Sequence, residues 1–481
     1  MGKGRKPLRS VLMGLFSRLC LLLGLILLVP AMVGVYYGEN IVALKSFMVP
    51  SVTLALLGYV ASRRWPLAEE ISVPQALIFS ALSWLLVAGI GALPFTLGGV
   101  LGPLDSYFEA MSGFTATGMT LIPKLENLPR SILFWRALTQ WLGGGGVVLF
   151  FILLIAPKGV GVWRLYVAEA REERLTVKAW DTVRDIWLIY VAYTALCALL
   201  LVMVGLSSFD AICHAFTALA TGGFSTRSLN IEAFHSSAVE AVLAVFMVIG
   251  AINFHVHLMV LRGRVKEALS NIELRAMLAI LAASTIMVTL DLVFNGHLPL
   301  AKALRLAYFQ VASISTTTGY TSFDVNLLPE ASKWILMCLM LVGGCLCSTA
   351  GGVKVARAVI LAKLVRLETL KTLLPREAVT SLKVGGRVIE KEDLLRIACF
   401  FALYLAIAAA AALILTHQNL SFTSALSAAL SAEGGVGPAF IDLLKLDAAS
   451  KLTLIACMWM GRLELTPVLS LLTTQAWERA L

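Results

Sequence analysis

Charge is scarce in this chain. Asp, Glu, Lys and Arg make up 14% of its 481 residues, hydrophobic residues 59%, and mean hydropathy is +0.86. That balance excludes a soluble globular protein of this length and puts most of the mass in a bilayer. Cysteine lacks a spaced framework: seven of the eight (Cys20, Cys197, Cys338, Cys345, Cys347, Cys399, Cys457) lie in apolar runs and read as small core residues, not disulfide partners. No Walker-type loop, HExxH motif or complete catalytic triad is present, so the chain is read as not an enzyme. No soluble stretch is long enough for a nucleotide-binding module. Net charge is +10 with pI near 9.2. The basic residues sit at the ends of apolar spans without a basic-aromatic module, which excludes nucleic acid as a partner and points to cytoplasmic loops beside membrane lipid.

Long hydrophobic runs are abundant. Ten candidate spans are 11–36, 42–62, 74–98, 131–157, 183–206, 236–261, 273–295, 333–360, 394–416 and 449–475. The first follows Lys3, Arg5, Lys6 and Arg9 but has no small-residue cleavage pattern, so it is read as a retained helix. With both termini cytoplasmic, the inside loops carry Arg63 and Arg64; Lys158, Arg164, Arg171 and Arg174; Arg262, Arg264 and Lys266; and Lys363, Arg366, Lys371, Arg376, Lys383 and Arg387. The outside loops carry Glu39, Asp105, Glu126, Asp210, Glu232, Asp324 and Glu330, as the positive-inside rule requires.

Between these spans lie four apolar segments too short to cross, near 105–118, 209–222, 302–318 and 422–434. Each runs into a Gly- or Thr/Gly-rich turn, and counting them as crossings would break the charge alternation. The turn glycines 118, 223, 319 and about 435 are spaced by 105, 96 and 116 residues. Each unit reads span, short helix, turn, span. Two crossings return the chain to the same side, so the units are parallel and can surround one axis. The expected fold is an all-α polytopic membrane protein of four helix–pore-loop–helix repeats around a central pore. Its boundaries are an N-terminal two-helix extension at 1–66 and repeats at 67–181, 182–268, 269–390 (with a gating loop) and 391–481.

The turns suit a dehydrated monovalent cation. K+ must exchange its water shell for backbone carbonyls and Thr hydroxyls, and Gly permits the backbone angles that aim carbonyls inward. Such irregular backbone is tolerated in hydrocarbon only when buried in protein or lining a cavity. Four copies at equivalent places outweigh the alternative of ordinary packing turns. An organic-solute transporter would call for inverted repeats, and a membrane-embedded enzyme or metal protein for a clustered constellation.

Several motifs carry a family resemblance: Phe108–Gly118 (FEAMSGFTATG), Cys213-His214-Ala215-Phe216, Gly222-Gly223-Phe224-Ser225-Thr226 and Thr316-Thr317-Thr318-Gly319-Tyr320-Thr321. Gly343-Gly344-Cys345 through Gly351-Gly352-Val353-Lys354 and Gly461-Arg462-Leu463-Glu464 complete the set. With these the chain resembles the potassium-translocating subunits of the Trk/Ktr/HKT superfamily, most closely the TrkH-type branch, over essentially its whole length. The resemblance implies K+ uptake across a bacterial inner membrane, a homodimer with one pore per subunit, and a separate cytoplasmic nucleotide-binding regulatory subunit of the TrkA/KtrA type. It implies K+ as transported ion, held by filter carbonyls, with no covalent cofactor. It does not decide between a channel and H+- or Na+-coupled symport. The expected filter residues are Thr117, Gly118, Gly222, Gly223, Thr318, Gly319, Gly434 and Gly435. Gly118 favours K+, because Na+-preferring plant members carry Ser there.

The fourth turn departs from the family pattern, reading Ala432-Glu433-Gly434-Gly435-Val436-Gly437-Pro438 where the branch commonly has Asn-Asn-Leu-Gly-Pro-Gly. Length from the short helix selects Gly435 as filter glycine; the Gly-Pro pair selects Gly437. Glu433 either adds a cation-attracting charge or, the favoured reading, sits behind the filter hydrogen-bonded to backbone. The stretch Val342–Lys354 is too glycine-rich for a helix interior. It is either close helix packing or an intramembrane gate below the filter, and the resemblance supports a gate of Gly343, Gly344, Gly351, Gly352, Lys354 and Arg462. Lys354 either places charge near the cavity or caps a span. Arg462 is either a structural ion pair or a cationic barrier. Gly143–Gly146 reads as helix packing or a kink, His255 and His257 as interfacial, and Asp291 as solvent-facing near the outer end.

Overall fold

The computed structural model describes residues 7–67, 71–146, 179–375 and 380–480. The expected inside-loop residues Lys158, Arg164, Arg171, Arg174 and Arg376, and the end of the 131–157 span, lie outside the described residues.

The N-terminal extension comprises α1 (Leu8–Ile26), α2 (Leu28–Tyr36) and α3 (Ile41–Arg64). Repeat 1 contains α4 (Val73–Leu97), α5 (Pro103–Phe114) and α6 (Arg130–Gly145). Repeat 2 contains α7 (Ala179–Met203), α8 (Ser208–Leu219), α9 (Ser237–Ala251) and α10 (Phe254–Leu261), followed by the short α11 (Val265–Ser270). Repeat 3 contains α12 (Ile272–Phe294), α13 (Leu300–Ser315), α14 (Glu330–Val342) and α15 (Val355–Lys371). Repeat 4 contains α16 (Lys391–Leu415), α17 (Phe422–Gly434), α18 (Ala448–Arg462), α19 (Thr466–Leu471) and α20 (Thr474–Ala480). The one pair of strands among the described residues is a small hairpin, β1 (Lys383–Val384) against β2 (Arg387–Val388), closed by Gly385 and Gly386 at positive φ.

Local chemistry sets these boundaries. At the start of α4, the Ser72 hydroxyl accepts from the Gln75 N–H and the Gln75 side chain accepts from the Ser72 N–H, a reciprocal cap. The short helices α5, α8, α13 and α17 contain 12, 12, 16 and 13 residues. At 1.5 Å per residue each falls short of the ~30 Å hydrocarbon core. After every turn comes one 3-10 helix: Leu125–Asn127, Asn230–Phe234, Val325–Leu327 and Leu443–Lys445.

Within each repeat the incoming span packs on its own short helix: α4 on α5, α7 on α8, α12 on α13, α16 on α17. Each outgoing helix packs on the short helix of the next repeat: α6 on α8, α9 on α13, α14 on α17, and α18 back on α5. That cyclic order closes the ring. The extension lies outside it. Its helix α1 packs along α3, α3 contacts α4 and α2 contacts α6. Glu39, just after α2, accepts from the Ser131 N–H at the start of α6 at 2.9 Å.

Six segments are long and apolar enough to cross a bilayer among the described residues: the α1–α2 run, α3, α4, α7, α12 and α16. The expectation of unbroken outgoing spans at 236–261 and 449–475 is corrected, and at Gly143–Gly146, read from the sequence as packing or a kink, the first outgoing helix also ends. All four outgoing helices stop part-way, not only the third. Helix α6 ends at Gly145, with Gly146 at φ +88°, and α9 bends by 101° into α10. In repeat 4, Glu464 and Leu465 take positive φ after α18. Asp291 is also corrected: it is buried, accepts from the Ser332 N–H at 2.8 Å, and caps the first turn of α14.

Candidate functional site

Each short helix ends in the same way. The N–H groups of Thr117, Gly222, Thr318 and Val436 donate to the carbonyls of Ser112, Thr217, Ser313 and Ser431 at 2.8–2.9 Å. These are 6→1 bonds of the kind that close a helix through a left-handed residue. That left-handed residue is Ala116 (φ +55°), Thr221 (+49°), Thr317 (+55°) or Gly435 (+66°). Two positions on stand Gly118 (+86°), Gly223 (+76°), Gly319 (+80°) and Gly437 (+105°). The backbone therefore pairs Gly437, not Gly435, with the other three turn glycines. The alignment by length to Gly435 is corrected.

These four glycines form a closed cycle. A Cβ on Gly118 would lie 2.2 Å from the Gly222 carbonyl oxygen, and one on Gly223 would lie 2.0 Å from that of Thr318. One on Gly319 would lie 1.8 Å from the Val436 oxygen, and one on Gly437 2.7 Å from the Thr117 oxygen. Each repeat thus presses its glycine on the carbonyl that precedes the next repeat's glycine. Side chains would hold the four turns apart. By contrast, a Cβ on Gly435 would meet only the Thr115 oxygen, at 3.9 Å.

Buried polar side chains brace the ring from behind. Glu109 on α5 accepts from Arg136 Nε at 2.9 Å, from the Leu121 N–H at 3.0 Å and from the Thr120 hydroxyl at 2.9 Å. Arg136 also donates to the Ser225 carbonyl at 2.9 Å and lies 4.0 Å from the Phe224 ring centre. Gln140 Nε2 donates to the Gly222 carbonyl at 2.6 Å. Tyr320 reaches between turns: its hydroxyl bonds to that of Thr217 and donates to the His214 carbonyl. Sequence reasoning assigned no role to Arg136 or Gln140. Their signal was there, since two polar residues four apart on an otherwise apolar span share one helix face.

Beneath the ring, the stretch Gly343–Lys354 folds back on itself. Val353 N–H donates to the Leu341 carbonyl at 3.0 Å and Lys354 N–H to that of Val342 at 2.9 Å. The Gly351 N–H donates to the Thr317 hydroxyl at 2.7 Å, and a Cβ on Gly351 would lie 2.0 Å from the Gly434 oxygen. The Thr349 hydroxyl faces the carbonyls of Leu219 and Gly250 at 2.9 Å and accepts from the Thr221 hydroxyl at 3.2 Å. Lys354 is buried and its ammonium donates to the Ala350 carbonyl. Arg462 donates to the Thr349 carbonyl at 3.3 Å and to the carbonyls of Gly143 and Gly144, the broken end of α6. Glu464 pairs with Arg357. The loop therefore touches repeats 2, 3 and 4, and Arg462 ties it to repeat 1. The cavity left between loop and ring has a volume of about 10 Å³ and is walled by Thr115, Thr349, Glu433 and Arg462, among others.

Glu433 departs from expectation. It is 1% exposed, and neither carboxylate oxygen has a hydrogen-bond partner among the described residues. The hydrogen bonds to backbone that the sequence reading favoured are not made. His257 is buried in the α9–α10 bend with Nε2 3.0 Å from the Ile249 carbonyl, while His255 is exposed.

Comparison with known proteins covers nearly the whole chain. The family model described as "Cation transport protein" (TrkH) matches residues 52–476. An uncharacterized cation transporter of Methanocaldococcus jannaschii is 32% identical over 455 residues, 94% of this chain and 93% of that one. The Trk system potassium uptake protein TrkH of Escherichia coli is 32% identical over 429 residues, 86% of this chain and 89% of that one. The crystal structure of the potassium transporter TrkH from Vibrio parahaemolyticus superposes with a TM-score of 0.87 at 29% identity, covering 98% of this chain and 99% of that one.

Proposed function

Since the chain belongs to the TrkH family of cation transport proteins, a branch of the Trk superfamily of potassium uptake transporters and not of enzymes, we propose that K+ passes through the closed cycle of four turns. The carbonyls of Thr117, Gly222, Thr318 and Val436 replace water around the ion, and Gly118, Gly223, Gly319 and Gly437 let the turns close to that distance. The single observation that carries this reading is the cyclic contact of each glycine with the next repeat's carbonyl, at 1.8–2.7 Å from where a Cβ would stand. The short helices end at the turns, so their partly negative C-termini favour a cation there.

The loop Gly343–Lys354 acts as the gate. In the conformation described it fills the space under the ring, and Arg462 pins it from repeat 4 while placing a positive charge beside the ion path. Opening requires release of the Arg462–Thr349 and Thr317–Gly351 bonds. We further place the protein in a bacterial inner membrane, with both termini cytoplasmic, as a homodimer with one pore per subunit. A separate TrkA/KtrA-type nucleotide-binding subunit docks on the basic cytoplasmic segments and drives the gate. The cyclic, parallel order of the repeats supports a pore over a solute carrier with inverted halves.

The test is K+ and Na+ flux into liposomes holding the purified chain, wild type against Gly118→Ser, with the regulatory subunit added where the chain alone is silent. K+-selective flux that loses its preference in the variant is expected. Equal K+ and Na+ flux in the wild type overturns the filter assignment.

A further inference from the structure

The ring has near fourfold backbone symmetry but not fourfold side chains, and one of the differences lies directly behind a ring carbonyl. In three outgoing helices a glycine touches the end of its own repeat's short helix. A Cβ on Gly143, Gly250 or Gly461 would lie 1.8, 2.8 or 1.8 Å from the carbonyl oxygens of Phe114, Leu219 and Glu433. These glycines therefore mark one structural level. Three residues before each, one helical turn up toward the ring, stand Gln140, Met247 and Met458, all buried. Only the first of these can hydrogen-bond through an amide.

Gln140 uses both ends of that amide. Its Nε2 donates to the Gly222 carbonyl at 2.6 Å, and its Oε1 accepts from the Phe224 N–H at 2.9 Å. Because one partner only accepts and the other only donates, the amide orientation is fixed by chemistry. The two bonds straddle Gly223, so the second turn is clamped on both sides of its ring glycine. The Gln140 side chain also fills the place a Cβ would take on Gly222, which would come within 2.5 Å of its Cδ.

We propose, on the premise of the pore reading above, that Gln140 is a positioning residue that sets ion specificity by fixing the Gly222 carbonyl within the ring. A carbonyl oxygen has two lone pairs, so the bond from Gln140 leaves one for the ion. A smaller ion such as Na+ requires the four oxygens to draw inward. An oxygen tethered from behind by a fully buried side chain resists that movement, whereas K+ needs no contraction. Gln140 thus penalises the smaller ion without touching it, and among the described residues the carbonyls of Thr117, Thr318 and Val436 receive no such side-chain bond.

The experiment is competitive K+ and Na+ flux in liposomes for wild type and Gln140→Met, which installs the residue found at this level in repeats 2 and 4. Of the two hydrogen bonds lost, the one to the Gly222 carbonyl bears on the ion, and its loss is expected to lower the K+ over Na+ preference about two- to tenfold while K+ flux persists. A purely structural role would reduce folded protein, or flux of both ions together, and leave the ratio in place. That result, or an unchanged ratio at unchanged flux, overturns the inference. Should Gln140→Met not fold, Gln140→Asn, whose amide is one methylene short of the carbonyl, is read by the same ratio with the same expected direction. A wild type that does not discriminate the ions overturns the pore reading itself, and is distinguishable because it fails before any variant is compared.

Discussion

The fourth turn offers a decisive perturbation, because two glycines compete for one role and their surroundings differ. Gly435 has φ +66° and ψ +46°, a left-handed conformation that costs an L-residue roughly 1–2 kcal/mol. Its counterparts Ala116, Thr221 and Thr317 already bear side chains there, and a Cβ would meet nothing closer than 3.9 Å. Gly435→Ala is therefore expected to fold, lose about 1–2 kcal/mol of stability and keep its K+ preference. Gly437 has φ +105°, beyond the left-handed well, and its Cβ would sit 2.7 Å from the Thr117 oxygen. Something must move, and the nearest atom is the Thr117 oxygen, a proposed ring ligand. A local strain on the order of 1–3 kcal/mol, carried by the ion site, changes discrimination roughly five- to a hundredfold. The assay is the initial rate of K+ and Na+ flux in proteoliposomes, with thermal unfolding of the detergent-purified variants as the control. Selectivity lost in Gly435→Ala and retained in Gly437→Ala would refute the cyclic assignment and restore the register read from length.

Other consequences can be checked separately. Arg462→Gln removes the charged donor to Thr349 and the α6 end, and is expected to raise K+ flux several-fold without the regulatory subunit; unchanged or lower flux counts against a gate pinned by Arg462. Arg136→Met strands the buried Glu109 carboxylate, at about 3–5 kcal/mol, so its unfolding temperature should fall by several degrees while Glu109→Gln/Arg136→Met recovers part of the loss. At the mouth, Glu126 of repeat 1 accepts from the Ser228 N–H and hydroxyl at 2.7 and 2.5 Å. Partial burial raises the Glu126 pKa, but the bonds from Ser228 and the charge of Arg227 outweigh it and hold it below the ordinary 4.5. A depressed carboxylate pKa stabilises the fold above its unfolded value and loses that contribution as pH falls through the folded value. Hydrogen-exchange protection factors at Ser228 and at Leu125, whose N–H donates to the Ser228 hydroxyl at 2.9 Å, should therefore stay high at neutral pH, fall below about pH 4.5, and lose that pH dependence in Glu126→Gln.

Much of this fold was legible because bilayer physics leaves few choices. Apolar runs of span length, short runs that cannot cross, and basic loops on alternate sides define four parallel units before any coordinate is known. The breaks in α9 and α18 were not legible. Hydropathy continues through them, so composition reports a span where the backbone stops. The glycine stretches at 343–352 and 143–146 were dense enough to announce an interruption or a kink. Asp291 was misread for a related reason: depth in the membrane can be estimated from sequence, but the unpaired N–H groups of a neighbouring helix start cannot, and Asp291 caps one in α14.

The fourth turn was ambiguous because sequence records which residue is present and not why. Glycine is required where another chain segment comes within 2–3 Å, as at Gly437, and merely permitted where the chain turns left-handed with open space around it, as at Gly435. In repeats 1 to 3 the second position carries Ala or Thr, so the required glycine stands out. In repeat 4 both positions carry glycine and the signal doubles. The same distinction explains why Gln140 passed unnoticed. Its importance lies in a 2.6 Å contact with a residue 82 positions away, and no periodicity within α6 encodes that distance. On the proposed reading, selectivity in such a ring turns on which carbonyls are free to move. That property belongs to pairs of residues in different repeats, and it becomes visible only when the cycle is closed in space.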